Sequence, residues 1–244
     1  MSKDIISFKK YLLSLVFKSK KVGVLMYHSI SNDGRFLSVS PQNFEKQLAF
    51  LKKKNFNVVS LGKLEEFLKE QTGFTYKTII LTFDDGYSDN FSVVFPLIKQ
   101  HNFPIIIFLV IDLVGKKGYL SWSEIKEMQA SGLVEFGCHT MSHPDLTKIS
   151  GEELAREIKE SKQILENELK INCNYFSYPK GIFNEQVTNK VKDSGYRLAF
   201  TVKEECVNSK GQIFELPRLS IDKSTTWCQF LGKISGLQFI KGKI

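Results

Sequence analysis

Two histidines four residues apart, in His139-Thr140-Met141-Ser142-His143-Pro144, can present two imidazole nitrogens to one ion. On a helical turn that separation puts both rings on the same side. One carboxylate from elsewhere would complete a three-ligand site with room for water, the pattern of a catalytic centre rather than a structural one. Asp85 is the candidate, and it follows Asp84 in Thr82-Phe83-Asp84-Asp85-Gly86. At a strand end, neighbouring side chains point in different directions, so one aspartate can hold a metal while the other faces a nucleophilic water. Both motifs have ordinary alternatives: a His-x-x-x-His pair also occurs as a surface or hydrogen-bonded pair, and Asp-Asp-Gly is good turn chemistry.

Such residues need elements to position them. Short apolar runs recur at 22–27, 58–60, 78–83, 105–111, 134–136, 175–178, 198–202 and 219–221, with helical periodicity between them. Ser40-Pro41 ahead of Phe44, Leu48 and Leu51 predicts a capped helix start with proline in its first turn. Ser150-Gly151-Glu152-Glu153 has capping-box spacing ahead of Leu154, Ile158 and Leu165. Nearly all-apolar strands alternating with helices predict an α/β domain with a parallel sheet. An open doubly wound sheet and a barrel of seven or eight units both fit the length, and in both the loops at the carboxyl ends of the strands carry function. Those ends bear Tyr27-His28, Asp84-Asp85-Gly86, His139 and Pro179-Lys180-Gly181, while Arg218 precedes the last run.

The 244 residues are 42% hydrophobic and carry a net charge of +8. No run approaches the roughly 20 apolar residues of a membrane span, which excludes a multi-pass membrane protein. The charge sits at the ends, +5 over residues 1–21 and +4 over 223–244, leaving −1 for the body. That distribution argues against a nucleic-acid-binding face. Both ends are amphipathic: Ile5, Phe8, Leu12, Leu15 and Val16 share one helical face, and Trp227, Phe230, Leu231, Ile234 and Leu237 share another. Either helix could dock on the body or attach peripherally to an anionic membrane surface. We therefore divide the chain into a basic N-terminal helix (1–21), a single domain (22–222) and a basic C-terminal segment (223–244). The apolar stretch 11–17 leads into Lys18, Lys20 and Lys21 rather than a small-residue cleavage site, so the expected location is cytoplasmic, on the inner face of the membrane if attached. Cys138, Cys173, Cys206 and Cys228 have neither disulfide-framework nor zinc-site spacing and are expected to be reduced, mostly buried thiols.

In chain order, Thr82-Phe83-Asp84-Asp85-Gly86-Tyr87, the two-histidine motif and Phe176-Ser177-Tyr178-Pro179-Lys180-Gly181 resemble the metal-dependent polysaccharide deacetylases, the carbohydrate esterase family 4 built on the NodB homology domain. The likeness spans about 22–222 and includes Tyr119-Leu120-Ser121-Trp122, a segment like the one before the family's two-histidine motif. It implies a distorted (β/α)7 barrel. It further implies that Asp85, His139 and His143 bind a divalent ion, most often zinc and otherwise cobalt or nickel, with Asp84 as general base. The implied reaction is hydrolysis of an N-acetyl group on an amino sugar, with the backbone N–H of Lys180, next to Pro179, helping to hold the tetrahedral intermediate.

Two departures matter. Where many members have an arginine two positions before the proline of the third motif, this chain has Ser177, in a pattern resembling poly-N-acetylglucosamine deacetylases. Arg218, in Glu215-Leu216-Pro217-Arg218, is the candidate to supply the missing charge to Asp84. The family's C-terminal Leu-x-His is also absent, and Tyr27-His28 matches the subgroup's replacement, making His28 the candidate general acid. Tyr87, Trp122 and Tyr178 are candidates to line a sugar groove. His101, at an expected helix end, needs no catalytic explanation, and Cys138 is expected to point away from the side that His139 faces. Substrates would be a polymer such as chitin, peptidoglycan or poly-N-acetylglucosamine, or a lipid-linked sugar precursor. The alternatives are a glycoside hydrolase, which leaves both histidines unexplained, and a non-catalytic saccharide-binding relative.

Overall fold

Apolar residues fill the first long strand, and every position after its opening lysine is buried, as in a strand covered on both faces. The computed structural model describes residues 21–70 and 77–235. The chain begins with β1 (Lys21–Tyr27), β2 (Ser29–Ile30), β3 (Ser38–Val39), α1 (Pro41–Lys53), β4 (Asn57–Val58) and α2 (Leu61–Glu70). It continues through β5 (Thr78–Asp85), a π turn (Asn90–Val94) leading into α3 (Phe95–His101), β6 (Ile105–Leu109), α4 (Trp122–Ala130) and β7 (Val134–Cys138). Then come α5 (Gly151–Ala155), a second π turn (Arg156–Glu160), α6 (Ser161–Leu169), β8 (Tyr175–Ser177), α7 (Glu185–Asp193) and β9 (Leu198–Phe200). The last elements are β10 (Val207–Asn208), β11 (Leu219–Ser220) and α8 (Trp227–Ile234).

Seven parallel strands run in the order β11, β1, β5, β6, β7, β8, β9. A bridge from Phe200 to Leu216 carries the chain from β9 back towards β11, so the sheet curls into a distorted barrel rather than opening into a doubly wound sheet. All eight apolar runs contain strands. The run at 105–111 ends early because Ile111 opens a 3-10 turn (Ile111–Leu113).

Strand alternation divides the core in two. Leu25, Tyr27, Ile79, Leu81, Phe83, Ile107 and Leu109 face the helices. Val24, Ile80, Ile106, Phe108, Phe200 and Leu216 fill a smaller inner cluster, joined by Leu61, Leu64, Phe67 and Leu68 of α2. Truncating a buried phenylalanine such as Phe108 to alanine would cost about 3–5 kcal/mol. Thr82 and Asp84 follow Ile80 at two-residue spacing, so a carboxylate is carried to the carboxyl end of β5 on the same inward-pointing face. Gly86 then turns the chain out at φ 76°, where a Cβ would come within 2.6 Å of Leu109 Cδ2.

Ser40 caps α1 as expected, its Oγ accepting from Asn43 N at 3.3 Å. Ser150 occupies the N-cap position of α5, but its side chain makes no capping bond, so the capping box expected there does not form. Capping boxes occur instead at Ser121 with Glu124 on α4 and at Thr226 with Gln229 on α8. In α8, Phe230, Leu231 and Ile234 are buried, and Trp227 packs edge-on against Phe50 at 5.2 Å with Lys46 over its ring. Residues 227–234 thus pack against the body of the domain, as in the docking alternative. The expected helix over 1–21 lies outside the described residues except for Lys21, which opens β1; residues 236–244, with Leu237, lie outside them as well. No helix among the described residues is long and apolar enough to cross a membrane.

Candidate active site

Asp84 is 2% exposed and Arg218 is fully buried, and the two meet in a bidentate pair: Nη1 donates to Oδ1 at 2.7 Å and Nη2 to Oδ2 at 2.6 Å. The guanidinium is itself fixed, donating to Thr82 Oγ1, Ser177 Oγ and the Thr201 carbonyl at 2.9–3.3 Å. It lies over the Phe108 and Phe200 rings, with centroids 5.6 and 6.0 Å away. Ser177 Oγ also donates to Asp84 Oδ2 at 3.3 Å. Burial works to raise the Asp84 pKa, but the charge and hydrogen bonds of Arg218, with the His139 and His28 imidazoles nearby, outweigh it and hold the carboxyl well below the usual range. Arg218 is thus the cation paired with Asp84.

Asp85 leaves the same strand in the left-handed region, at φ 73°, which swings its carboxylate away from the alternation of β5. Its Oδ1 lies 3.7 Å from His139 Nε2 and 3.8 Å from His143 Nε2, and the three donor atoms all fall within 4.8 Å of one another. The two imidazoles pack edge-on at 4.7 Å. His139 Nδ1 is 2.7 Å from the Ser177 carbonyl, which can only accept, so Nδ1 carries the proton and the Nε2 lone pair faces the cluster. Burial and the neighbouring His139 push the His143 pKa below its ordinary value, favouring the neutral form a metal requires.

The expectation that a helical turn brings the histidines together is not met. Thr140 and His143 adopt φ 72° and 66°, and the 139–143 segment is an irregular loop. Its donors go elsewhere: His139 N to the Leu109 carbonyl, His143 N to Thr140 Oγ1, and Met141 N and Ser142 N to the Glu157 carboxylate. Spacing alone did not reveal Glu157, because it reaches the loop from the π turn ahead of α6. Nor did it reveal Ser177 as the link between the two halves, its hydroxyl on Arg218 and Asp84 and its carbonyl on His139; the departure from the family's arginine was the only signal.

The remaining candidates divide. His28 lies within electrostatic reach of Asp84, Asp85, Arg218 and His139, and burial pushes its pKa below the usual value against the pull of both carboxylates. Tyr87 stacks on Tyr119 at 5.1 Å, carries the Arg35 guanidinium over its ring at 4.3 Å and lies within electrostatic reach of Asp85, so it stands beside the triad. It also lines a cavity of about 210 Å³ with Ser29, Arg35, Phe36, Leu37 and Ser38. Lys180 is exposed at φ 57° in the Pro179–Gly181 turn, while Pro179 is buried. Tyr178 corrects its expectation: it is fully buried, stacked on Phe183 at 4.8 Å, with its hydroxyl on the Phe214 carbonyl and its pKa pushed by burial up to about 12. It cannot offer a ring to a sugar. Trp122 is half-buried against the outer core. His101 ends α3 and stacks on Phe103, and Cys138 turns away to Ser161 Oγ at 3.1 Å.

Comparison with known proteins agrees with this geometry. The sequence matches the polysaccharide deacetylase family over residues 72–199. The poly-beta-1,6-N-acetyl-D-glucosamine N-deacetylase of Staphylococcus aureus (strain MRSA252) is 26% identical over 212 residues, covering 81% of this chain and 72% of that protein. The Streptococcus pyogenes deacetylase PplD, solved in complex with acetate, superposes with a TM-score of 0.82 at 26% identity, covering 89% of this chain and 99% of that one. BC0361, a polysaccharide deacetylase from Bacillus cereus, superposes with a TM-score of 0.79 at 32% identity, covering 89% of this chain and 70% of that one. On the family match and on this likeness in sequence and fold, the chain belongs to the polysaccharide deacetylase family.

Proposed function

We propose that the chain removes N-acetyl groups from an amino-sugar polymer of the poly-N-acetylglucosamine type, using a divalent ion held by Asp85, His139 and His143. The observation that carries this reading is the meeting of the two halves of the site: Asp84 Oδ2 lies 3.9 Å from His139 Nε2, next to three converging donor atoms. The donor set fits the ion. Ligands about 2.0–2.1 Å from a tetrahedral centre stand about 3.3 Å apart, a few tenths of an ångström inside the 3.7 and 3.8 Å measured to Asp85. Two imidazoles and a carboxylate suit zinc, cobalt or nickel.

Each residue then has a part. Asp84, kept ionised by Arg218, takes a proton from the attacking water through lone pairs left beyond the guanidinium bonds. A carboxylate held so far below its usual pKa is a weak base, so the water must be acidified, which a bound ion would do while polarising the amide carbonyl. The backbone N–H of Lys180 donates to the developing oxyanion. His28 delivers a proton to the leaving nitrogen. Tyr87, anchored by Tyr119 and Arg35, offers an aromatic wall for the sugar. A glycoside hydrolase would leave both histidines without a role.

The test is metal analysis of the purified protein, with acetate release from β-1,6-linked N-acetylglucosamine oligomers and from lipid-linked N-acetylated sugars. Bound metal and release from the oligomers by wild type but not by Asp84→Asn is the expected result. Release from the lipid-linked sugars alone would move the substrate to the precursor class. No release and no bound metal would return the chain to a saccharide-binding role.

A further inference from the structure

Glu157 is 5% exposed, and the hydrogen bonds to its carboxylate among the described residues come from neutral donors. Its bonds go instead to one short stretch of chain. Oε2 accepts from Met141 N and Ser142 N, each at 2.9 Å, and Oε1 accepts from Ser142 Oγ at 2.7 Å. Those donors sit between His139 and His143. A buried carboxylate answered only by dipoles is an expensive arrangement, retained where it does something that an apolar side chain could not.

What it does is visible in the loop. A helical path from His139 to His143 would pair the intervening N–H groups with carbonyls four residues back. Here Thr140 and His143 take left-handed φ values, unfavourable for residues other than glycine, and the N–H groups of Met141 and Ser142 turn towards Glu157. The carboxylate is therefore the acceptor that permits this backbone shape. Glu157 lies in the Arg156–Glu160 π turn, a local widening of the helix often found at functional sites.

We propose that Glu157 is a positioning residue for the metal ligands: it shapes the 139–143 loop so that His139 and His143 converge on Asp85 before any ion arrives. This inference rests on the metal-dependent reading given above. Glutamine at 157 can keep both backbone bonds through its carbonyl and donate its amide N–H to Ser142 Oγ, whereas leucine can do neither. Charge and geometry are thereby separable.

The experiment is a titration of metal-free wild-type protein, Glu157→Leu, Glu157→Gln and Ser142→Ala with zinc against a chelating indicator, with thermal midpoints of the metal-free proteins measured alongside. Glu157→Leu should bind zinc about 10- to 100-fold more weakly, the loss typical when groups supporting metal ligands are removed. Glu157→Gln should recover to within about threefold of wild type, since the loop shape rather than the charge is restored. Ser142→Ala, which loses one of three bonds, should fall between them. If Glu157→Leu does not fold, Glu157→Asp withdraws the carboxylate by one methylene and should still weaken zinc binding about tenfold. A purely structural role would lower the thermal midpoint and leave the zinc Kd unmoved, and that result overturns the inference while the metal reading stands. Absence of zinc binding by wild type would overturn both.

Discussion

Asp84 and Asp85 are adjacent in the chain and share the end of β5, yet their surroundings are opposite in kind. Asp84 is answered twice by Arg218 and again by Ser177, in a dry pocket floored by Phe108 and Phe200. Asp85 faces two imidazole nitrogens at 3.7 and 3.8 Å, too far for hydrogen bonds. One half of the site is closed by hydrogen bonds between its own side chains; the other brings three atoms of metal-ligating type within 4.8 Å of one another. Preorganisation can therefore be built separately into the base and into the metal ligands, with the two meeting only at Ser177 and His139.

The largest effect that could break this comparison comes from Asp84→Asn. Acetate release should fall by about 10²–10⁴-fold, the usual contribution of a positioned base, while zinc content stays at the wild-type level. A parallel loss of metal would show that the halves are not independent. Next comes His143→Ala, which should abolish zinc retention on dialysis and lower activity to a similar floor, while leaving the Asp84 and Arg218 pair and the urea midpoint close to wild type. A large drop in that midpoint would tie the two halves together structurally.

Arg218→Met leaves a buried carboxylate unanswered and should destabilise the fold by about 3–5 kcal/mol in urea at pH 7. Because the folded Asp84 pKa lies below its unfolded value, the contribution of the pair is complete above about pH 4 and disappears as the pH falls towards the folded value. Without Arg218, burial raises the Asp84 pKa in the folded variant, so the stability gap between wild type and Arg218→Met should narrow as the pH falls below that raised value, and a constant gap would mean that the pairing is not its source. The smallest effect is expected from Tyr178→Phe, which loses the bond to the Phe214 carbonyl, about 1 kcal/mol. Its KM for oligosaccharide should be unchanged, whereas a raised KM would restore Tyr178 to the sugar groove.

How much of this was legible in the chain depends on what kind of signal carries it. Buried strands announce themselves as apolar runs, and so the positions of His28, Asp84, Asp85 and His139 at strand ends could be read directly. Arg218 was legible only through the family resemblance, which implies an arginine where this chain has Ser177. Tyr178 was misplaced because an aromatic next to Pro-Lys-Gly looks like a groove wall, and only the packing shows it enclosed by Phe176, Phe183 and the Phe214 carbonyl. The loop between the histidines was misread as helical because four-residue spacing has the helical period. Its actual shape depends on a carboxylate 15 or 16 residues further on, beyond the range of any local pattern.

The pairing of Arg218 with Asp84 spans 134 residues of chain. At roughly 5–20 residues per second, a ribosome needs about 7–27 s to add that stretch after Asp84 has been made. Throughout that interval the emerging polypeptide holds its base without its counter-charge, and β1 waits for β11. The pair thus forms only once the chain has reached β11, long after both ends of β5 have been made. A nascent chain stalled before residue 218 would hold a carboxylate that has every reason to stay in water until the barrel can close over it.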